Sequence, residues 1–204
     1  MLSIFIKDII MTDYTLLHGD IFTFPTIKTN YNKIPNIKAG LDAIFNSDKV
    51  LKRNLSITTC TVPRSLADLL AIPEIDDLVI WIKQCILDNA SYLGKPNAKT
   101  VMFTAGWANR FFKGSQNNCH LHLSSSNGCA IFYQDVPQPN SSDLVLVRGG
   151  KDETPLNSYE KKDCFRINVA TSDLIIHHTS IPHGISRHKN NNPRTCIIFN
   201  FVLN

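Results

Sequence analysis

"NNCHLHLSSSNGCAIFYQDVP", residues 117–137, sets the texture of the C-terminal half of the chain. An alternating run over 119–123, a cluster of Ser, Asn and Gly, and an apolar run over 129–136 predict two short strands joined by a turn-rich link. On a strand, residues i and i+2 share a face. The spacing therefore points His120 and His122 to one side, and Leu121 and Leu123 to the other, into packing. Two neutral imidazoles on one face are the start of a chelate for a first-row metal, but His-x-His by itself is also the pattern of two polar strand residues.

The same texture extends in both directions. Short apolar runs near 101–109, 119–123, 129–136, 144–148, 164–169, 173–178, 183–187 and 194–203 are separated by Gly, Pro, Asn and Ser. Eight such strands predict a jelly roll. The charged, apolar-poor segment Gly149 to Asp163 reads as a solvated connection, with an active-site lid as its functional alternative. Upstream of Gly94-Lys95-Pro96 the pattern changes. TLLHGDIFTFPTIKTNY (15–31) suggests one or two short strands, and helices are expected over 37–45, 65–71 and from Pro73 to about Tyr92. In the last of these, Ile75, Leu78, Val79, Ile82, Ile86 and Leu87 recur at helical spacing, and Glu74, Asp76 and Asp77 favour the positive end of the helix dipole. The expected architecture is mainly β with flanking helices. It is a single domain over 1–204, in which a strand and helical lead-in (1–96) packs on a jelly-roll core (97–204).

With 43% apolar and 19% charged residues, the 204-residue chain has the composition of a globular protein, and its net charge of +4 is too small to imply nucleic acid. No apolar run approaches the ~18–20 residues that cross a bilayer, so no membrane partner is expected. MLSIFIKDII carries Lys7 and Asp8 with no small-residue cleavage site behind it, which predicts a cytoplasmic protein; Met11 is an alternative start. Six scattered cysteines without a Cys-x-x-Cys pair predict small core residues rather than disulfides or a thiolate zinc site. A homodimer is left open by these observations.

A third metal ligand has to come from elsewhere, and four of the five remaining histidines lie within SDLIIHHTSIPHGISRHKNNNPRTCIIFNF (172–201). His177 and His178 are adjacent on a strand, so at most one looks inward. His183 sits between Pro182 and Gly184, and Arg194 follows eleven residues later, after the hydrophilic link KNNNP. Antiparallel pairing of 184–188 with 194–202 across that link would set Arg194 beside His183, deeper in the barrel. A guanidinium there needs an anion, either an acidic side chain or a bound carboxylate.

In chain order, Trp107-x-Asn109, Gly114, Asn118, His120-x-His122, Tyr133 to Pro137, Asp173-Leu-Ile-Ile, His183 and RTCIIFN (194–200) resemble the motifs of the 2-oxoglutarate-Fe(II) oxygenase family. Those motifs read W-x-N, G, N-x-x-H-x-H, YY-x-x-P, H-x-V and R-I-S-I-S-F-N. SITTCTVPRSLADLL (56–70) and the helix after it are similar to the family's helical lead-in, so the resemblance covers about residues 55–202. It implies a double-stranded β-helix holding non-haem Fe(II). The cosubstrate 2-oxoglutarate would chelate the metal, and Arg194 would clamp its distal carboxylate. The activity implied is hydroxylation of a C–H bond by O2, with release of succinate and CO2, on a small-molecule or amino-acid substrate.

The chain departs from the superfamily's two-histidine-one-carboxylate triad, because His122 stands where the carboxylate would be. Three readings stay open. The site uses His120, His122 and His183; His122 turns away and leaves an open position; or activity is lost. Cys196 also replaces a hydroxyl residue, and His177-His178 a Phe-Pro-like pair.

Asn109 and Tyr133 are candidate hydrogen-bond donors to 2-oxoglutarate, or structural residues. Trp107 reads as core, Asp173 as a turn residue, and Arg187 with His188 as solvent-facing flanks of the link. Arg148 and Arg166 are marked as substrate contacts only by their place on barrel strands. Two rival functions are a cupin-type dioxygenase or isomerase without 2-oxoglutarate, and a non-catalytic jelly-roll binding domain.

Overall fold

The apolar runs of the C-terminal half form strands that pass back and forth between two antiparallel sheets. The computed structural model describes residues 13–18, 21–32, 36–47, 50–53, 58–61, 66–122 and 125–204. The core consists of β5 (Val101–Phe111), β6 (Asn117–His120), β7 (Gly128–Asp135), β8 (Leu144–Val147), β9 (Cys164–Ile167), β10 (Asp173–His178), β11 (His183–Ile185) and β12 (Arg194–Leu203). These match the eight runs expected from sequence. β10, β7, β12 and β5 are neighbours in one sheet, and β6, β11, β8 and β9 form the other. The chain thus winds as a double-stranded β-helix.

The larger sheet is extended on one edge by β1 (Thr15–Leu17) and β2 (Thr26–Asn30), and on the other by β3 (Val50–Arg53) and β4 (Thr58–Thr61). The last two correct the sequence reading, which placed this part of the lead-in before a helix and saw no strand in it. β4 pairs with β5 at Thr58↔Phe111 and Cys60↔Asn109, so an edge partner overrides weak local signals.

A second correction concerns β11 and β12. They do not form a hairpin. β11 pairs with β6 and β8, whereas β12 pairs with β5 and β7. His183 and Arg194 therefore belong to opposite sheets.

Burial on both faces explains why β12 is mainly apolar without two-residue alternation, since Val202 alone among its ten residues is not buried. Its inward side chains join Ile131, Tyr133, Ile175 and Leu146 between the sheets. Its outward Ile197, Phe199 and Phe201 pack with Ile75, Leu78, Ile82 and Ile86 of α3 (Ile75–Asp88). Helices α1 (Lys38–Phe45) and α2 (Leu66–Leu70) cover the same face, each close to its predicted place. Burying each large aliphatic side chain is worth about 1.5–3 kcal/mol, enough to fix the helical layer on the sheet. α3 starts two residues later than expected, because Glu74 takes a left-handed conformation at φ 65°. Among the described residues no helix is long and apolar enough to cross a membrane. Leu123 and the choice between Met1 and Met11 lie outside the described residues.

Candidate metal centre

β6 and β11 are neighbours, and their register sets His120 directly opposite His183. β6 ends at His120, so His122 lies beyond the strand rather than two residues along it. Leu121 is 41% exposed and does not pack inward as the alternation predicted. His122 nevertheless converges on the others. Its Nε2 lies 3.2 Å from His183 Nε2, with the two rings within 4° of parallel. Trp107 of β5 stacks on His122, at 6.0 Å between ring centroids and an angle of 22°. The segment after β8 holds the other side. Cys119 pairs with Thr154, and the Leu121 N–H donates to Asp152 Oδ1 at 3.2 Å. The predicted solvated loop 149–163 is thus tied to the histidine strand.

Tautomers follow from the partners. His120 Nδ1 lies 3.0 Å from the Asn118 carbonyl, His183 Nδ1 3.0 Å from that of Ile181, and His177 Nδ1 3.1 Å from that of His178. A carbonyl only accepts, so each Nδ1 carries the proton and each Nε2 offers a lone pair. One ligand nitrogen from each of His120, His122 and His183 falls within 4.8 Å of the other two. Two nitrogens ~2.1 Å from one ion at an angle of about 100° stand roughly 3.2 Å apart, the spacing found between His122 and His183. Burial, then the neighbouring imidazoles, lowers His122 to about 3 and His183 well below its ordinary value. Both are neutral at pH 7, the form that binds a metal.

The register of β12 orders the rest of the interior. Arg194 pairs with Phe111, Cys196 lies between Asn109 and Tyr133, Ile198 between Trp107 and Ile131, and Asn200 opposite Cys129. Arg194 thus sits at the far end of the row that leads to the histidines. It is 0% exposed. Its Nη1 donates to Ser142 Oγ at 3.0 Å, while Nε and Nη2 have no hydrogen-bond partner. Among the described residues no carboxylate forms an ion pair with it. The rings of Tyr133 and Phe111 face the guanidinium at 4.6 and 5.2 Å, partial compensation through cation–π contact. The Tyr133 hydroxyl is buried and also without a partner, and burial pushes its pKa up, keeping it a donor. Asn109 is half-buried one rung away.

Other sequence candidates fall elsewhere. Arg148 and Arg166 are exposed and paired with Asp163 and Asp143. Asp173 caps the turn before β10, accepting from the Ala170 N–H at 2.7 Å and pairing with Lys28. Arg187 is exposed as expected, but His188 is buried: its Nδ1 accepts from the Ser142 N–H and its Nε2 donates to the Asn192 carbonyl. That fixes the segment carrying the hydroxyl partner of Arg194.

Sequence reasoning did not single out His177 or Cys129 as site residues. His177 is the inward member of its pair, fully buried, while His178 stacks on Phe24 at 4.0 Å. The signal was the two-residue alternation along β10, which leaves the direction of the pair unassigned until its neighbours are known.

No family model matches the sequence, and no curated protein does. Solved structures do match. The non-haem α-ketoglutarate-dependent carbocyclase SnoK from nogalamycin biosynthesis aligns over 88% of this chain and 80% of its own, with TM-score 0.62 and 9% identity. A prolyl-4-hydroxylase of Pseudomonas putida aligns over 90% and 95%, with TM-score 0.58 and 11% identity. HygX of Streptomyces hygroscopicus, solved with nickel and 2-oxoglutarate bound, aligns over 90% and 84%, with TM-score 0.53 and 13% identity. At these identities the likeness is one of architecture: the chain has the double-stranded β-helix fold found in 2-oxoglutarate-dependent oxygenases.

Proposed function

We propose that the protein is an Fe(II)- and 2-oxoglutarate-dependent oxygenase that hydroxylates a C–H bond of a small molecule or amino acid. The observation that carries this is Arg194, a fully buried guanidinium with two unpartnered nitrogens in the same interior as three converging imidazoles. An uncompensated buried cation costs several kcal/mol, and a dicarboxylate removes that cost. The residues fit the cosubstrate. Arg194, Ser142 and the free Tyr133 hydroxyl would hold its distal carboxylate, with Asn109 beside them. His120, His122 and His183 would hold the iron, His122 occupying the place of the usual carboxylate.

Bound iron would supply the oxidative decarboxylation of 2-oxoglutarate by O2, with release of succinate and CO2, and the coupled oxidation of substrate. The chain's own contribution is placement. Carbonyl acceptors fix His120 and His183, Trp107 stacks on His122, and the ring walls of Phe111 and Tyr133 keep water from the guanidinium.

The test is anaerobic addition of Fe(II) and then 2-oxoglutarate to metal-free protein. A visible charge-transfer band that needs both, and succinate formation once O2 is admitted, are expected. Metal binding with no band and no calorimetric signal for 2-oxoglutarate would overturn the proposal. Substrate-dependent O2 uptake that ignores 2-oxoglutarate would point instead to a cupin-type enzyme.

A further inference from the structure

His122 belongs to a second convergent group. With Cys129 and His177 it places two imidazole nitrogens and one sulfur within 4.8 Å of one another. Cys129 and His177 are direct register partners on β7 and β10, with side chains on the same inward face. Both are fully buried. The His177 proton is committed to the His178 carbonyl through Nδ1, so Nε2 is a buried lone pair, and it has no hydrogen-bond partner. On the next strand Asn200 pairs with Cys129, and its Oδ1 is likewise buried and unpartnered. One rung of the sheet thus carries an imidazole, a thiol and an amide oxygen side by side, with His122 reaching in from beyond β6.

We propose that this rung is a second metal position that overlaps the three-histidine one, and that it takes soft or borderline ions, Zn(II) and Cu(I). The donor chemistry sets the preference. A thiolate with two imidazoles favours these ions, whereas a set of nitrogens alone also accommodates Fe(II). On binding, the Cys129 S–H bond is exchanged for a metal–sulfur bond, and the proton leaves to solvent. His122 serves both groups, so one ion is held at a time. A soft ion on the Cys129 side takes a ligand from the other position. Occupation by Zn(II) would therefore block the iron site by removing its ligand, without competing for Arg194.

The experiment uses the full-length, metal-free, reduced protein and titrates Co(II) without oxygen. Expected are saturation at one Co(II) per chain and a near-ultraviolet thiolate-to-cobalt band. Cys129→Ser should abolish that band while keeping the visible bands of nitrogen-bound cobalt. His177→Ala removes a ligand and should weaken the sulfur-bound form by more than about tenfold, the lower end of what losing an outer-shell partner costs. Cys129→Ala, with circular dichroism on every variant, separates ligand loss from misfolding.

A wild-type spectrum with no thiolate band would overturn the second position, as would a band that persists in Cys129→Ser. Two Co(II) per chain would overturn its exclusivity. Adding 2-oxoglutarate to Cys129→Ser, where the three-histidine group is intact, tests the oxygenase reading separately. A spectrum that does not respond there counts against that reading and leaves the thiolate result standing.

Discussion

At the scale of single residues, Arg194 separates function from stability. A buried charge kept without an acid is a burden on the fold, and hydrophobic replacement of such groups is commonly neutral or stabilising. Arg194→Met keeps the length of the side chain among Phe111 and Tyr133 and removes the charge. The expected outcome is an unliganded melting temperature that holds or rises, with 2-oxoglutarate affinity lowered at least about 100-fold, the scale of truncating one half of a buried charged pair. Calorimetry and thermal melts read the two effects separately. A lower melting temperature with affinity retained would make Arg194 structural. Trp107 makes the opposite case, a side chain that acts through another. It stacks on His122 rather than pointing a donor at the centre, so Trp107→Ala should weaken Mn(II) binding about tenfold and His122→Ala by more. Equal losses would mean that His122 has no direct part in holding the metal.

At the scale of elements, β7 has little room at Gly128, where it lies between β10 and β12 beside the histidines. A Cβ on Gly128 would stand 2.3 Å from Phe201 Cζ and 2.9 Å from the His177 carbonyl oxygen, and backbone cannot give way as a side-chain tip can. Gly128→Ala should destabilise by about 1–3 kcal/mol in urea unfolding, with weaker metal binding because the His177 peptide is pushed. An unchanged midpoint would show that the sheet relaxes there.

The same elements show what a sequence can carry. Eight core strands were legible because each is a short apolar run bounded by turn residues, and α3 because its apolar spacing is helical. VLKR and TTCT have neither signature, so β3 and β4 exist by pairing alone. The link 189–193 has the composition of a hairpin turn, and nothing local records that it carries the chain to the opposite sheet. His188 shows the same limit at one position. Charged and polar neighbours mark it as exposed, yet two backbone partners bury it. His120, His122 and His183 could be picked out as a group, whereas Cys129 and His177 became neighbours only through the β7–β10 register.

At the scale of the whole molecule, the centre exists only while the two sheets are closed on each other. His120 and His183 come from the smaller sheet, His177 and Arg194 from the larger, and His122 from the segment between them. Closing the sheets desolvates the imidazoles and couples their protonation to folding. In the fold His122 is lowered to about 3 and His177 to about 4, first by burial, whereas in the unfolded chain each titrates near ~6.5. Below about pH 6.5 the unfolded state therefore binds protons that the folded state refuses, and the difference favours unfolding. Stability of the metal-free protein is full above that pH and falls as pH drops toward about 4, where His177 begins to accept a proton in the fold. Each such histidine adds up to about 1.4 kcal/mol per pH unit to the slope. His177→Leu removes one of them, so the urea midpoint of the chelator-treated variant should decline less steeply between pH 6.5 and 4.5 than that of the wild type. Equal slopes would mean that His177 is already solvated in the folded protein, contrary to its complete burial.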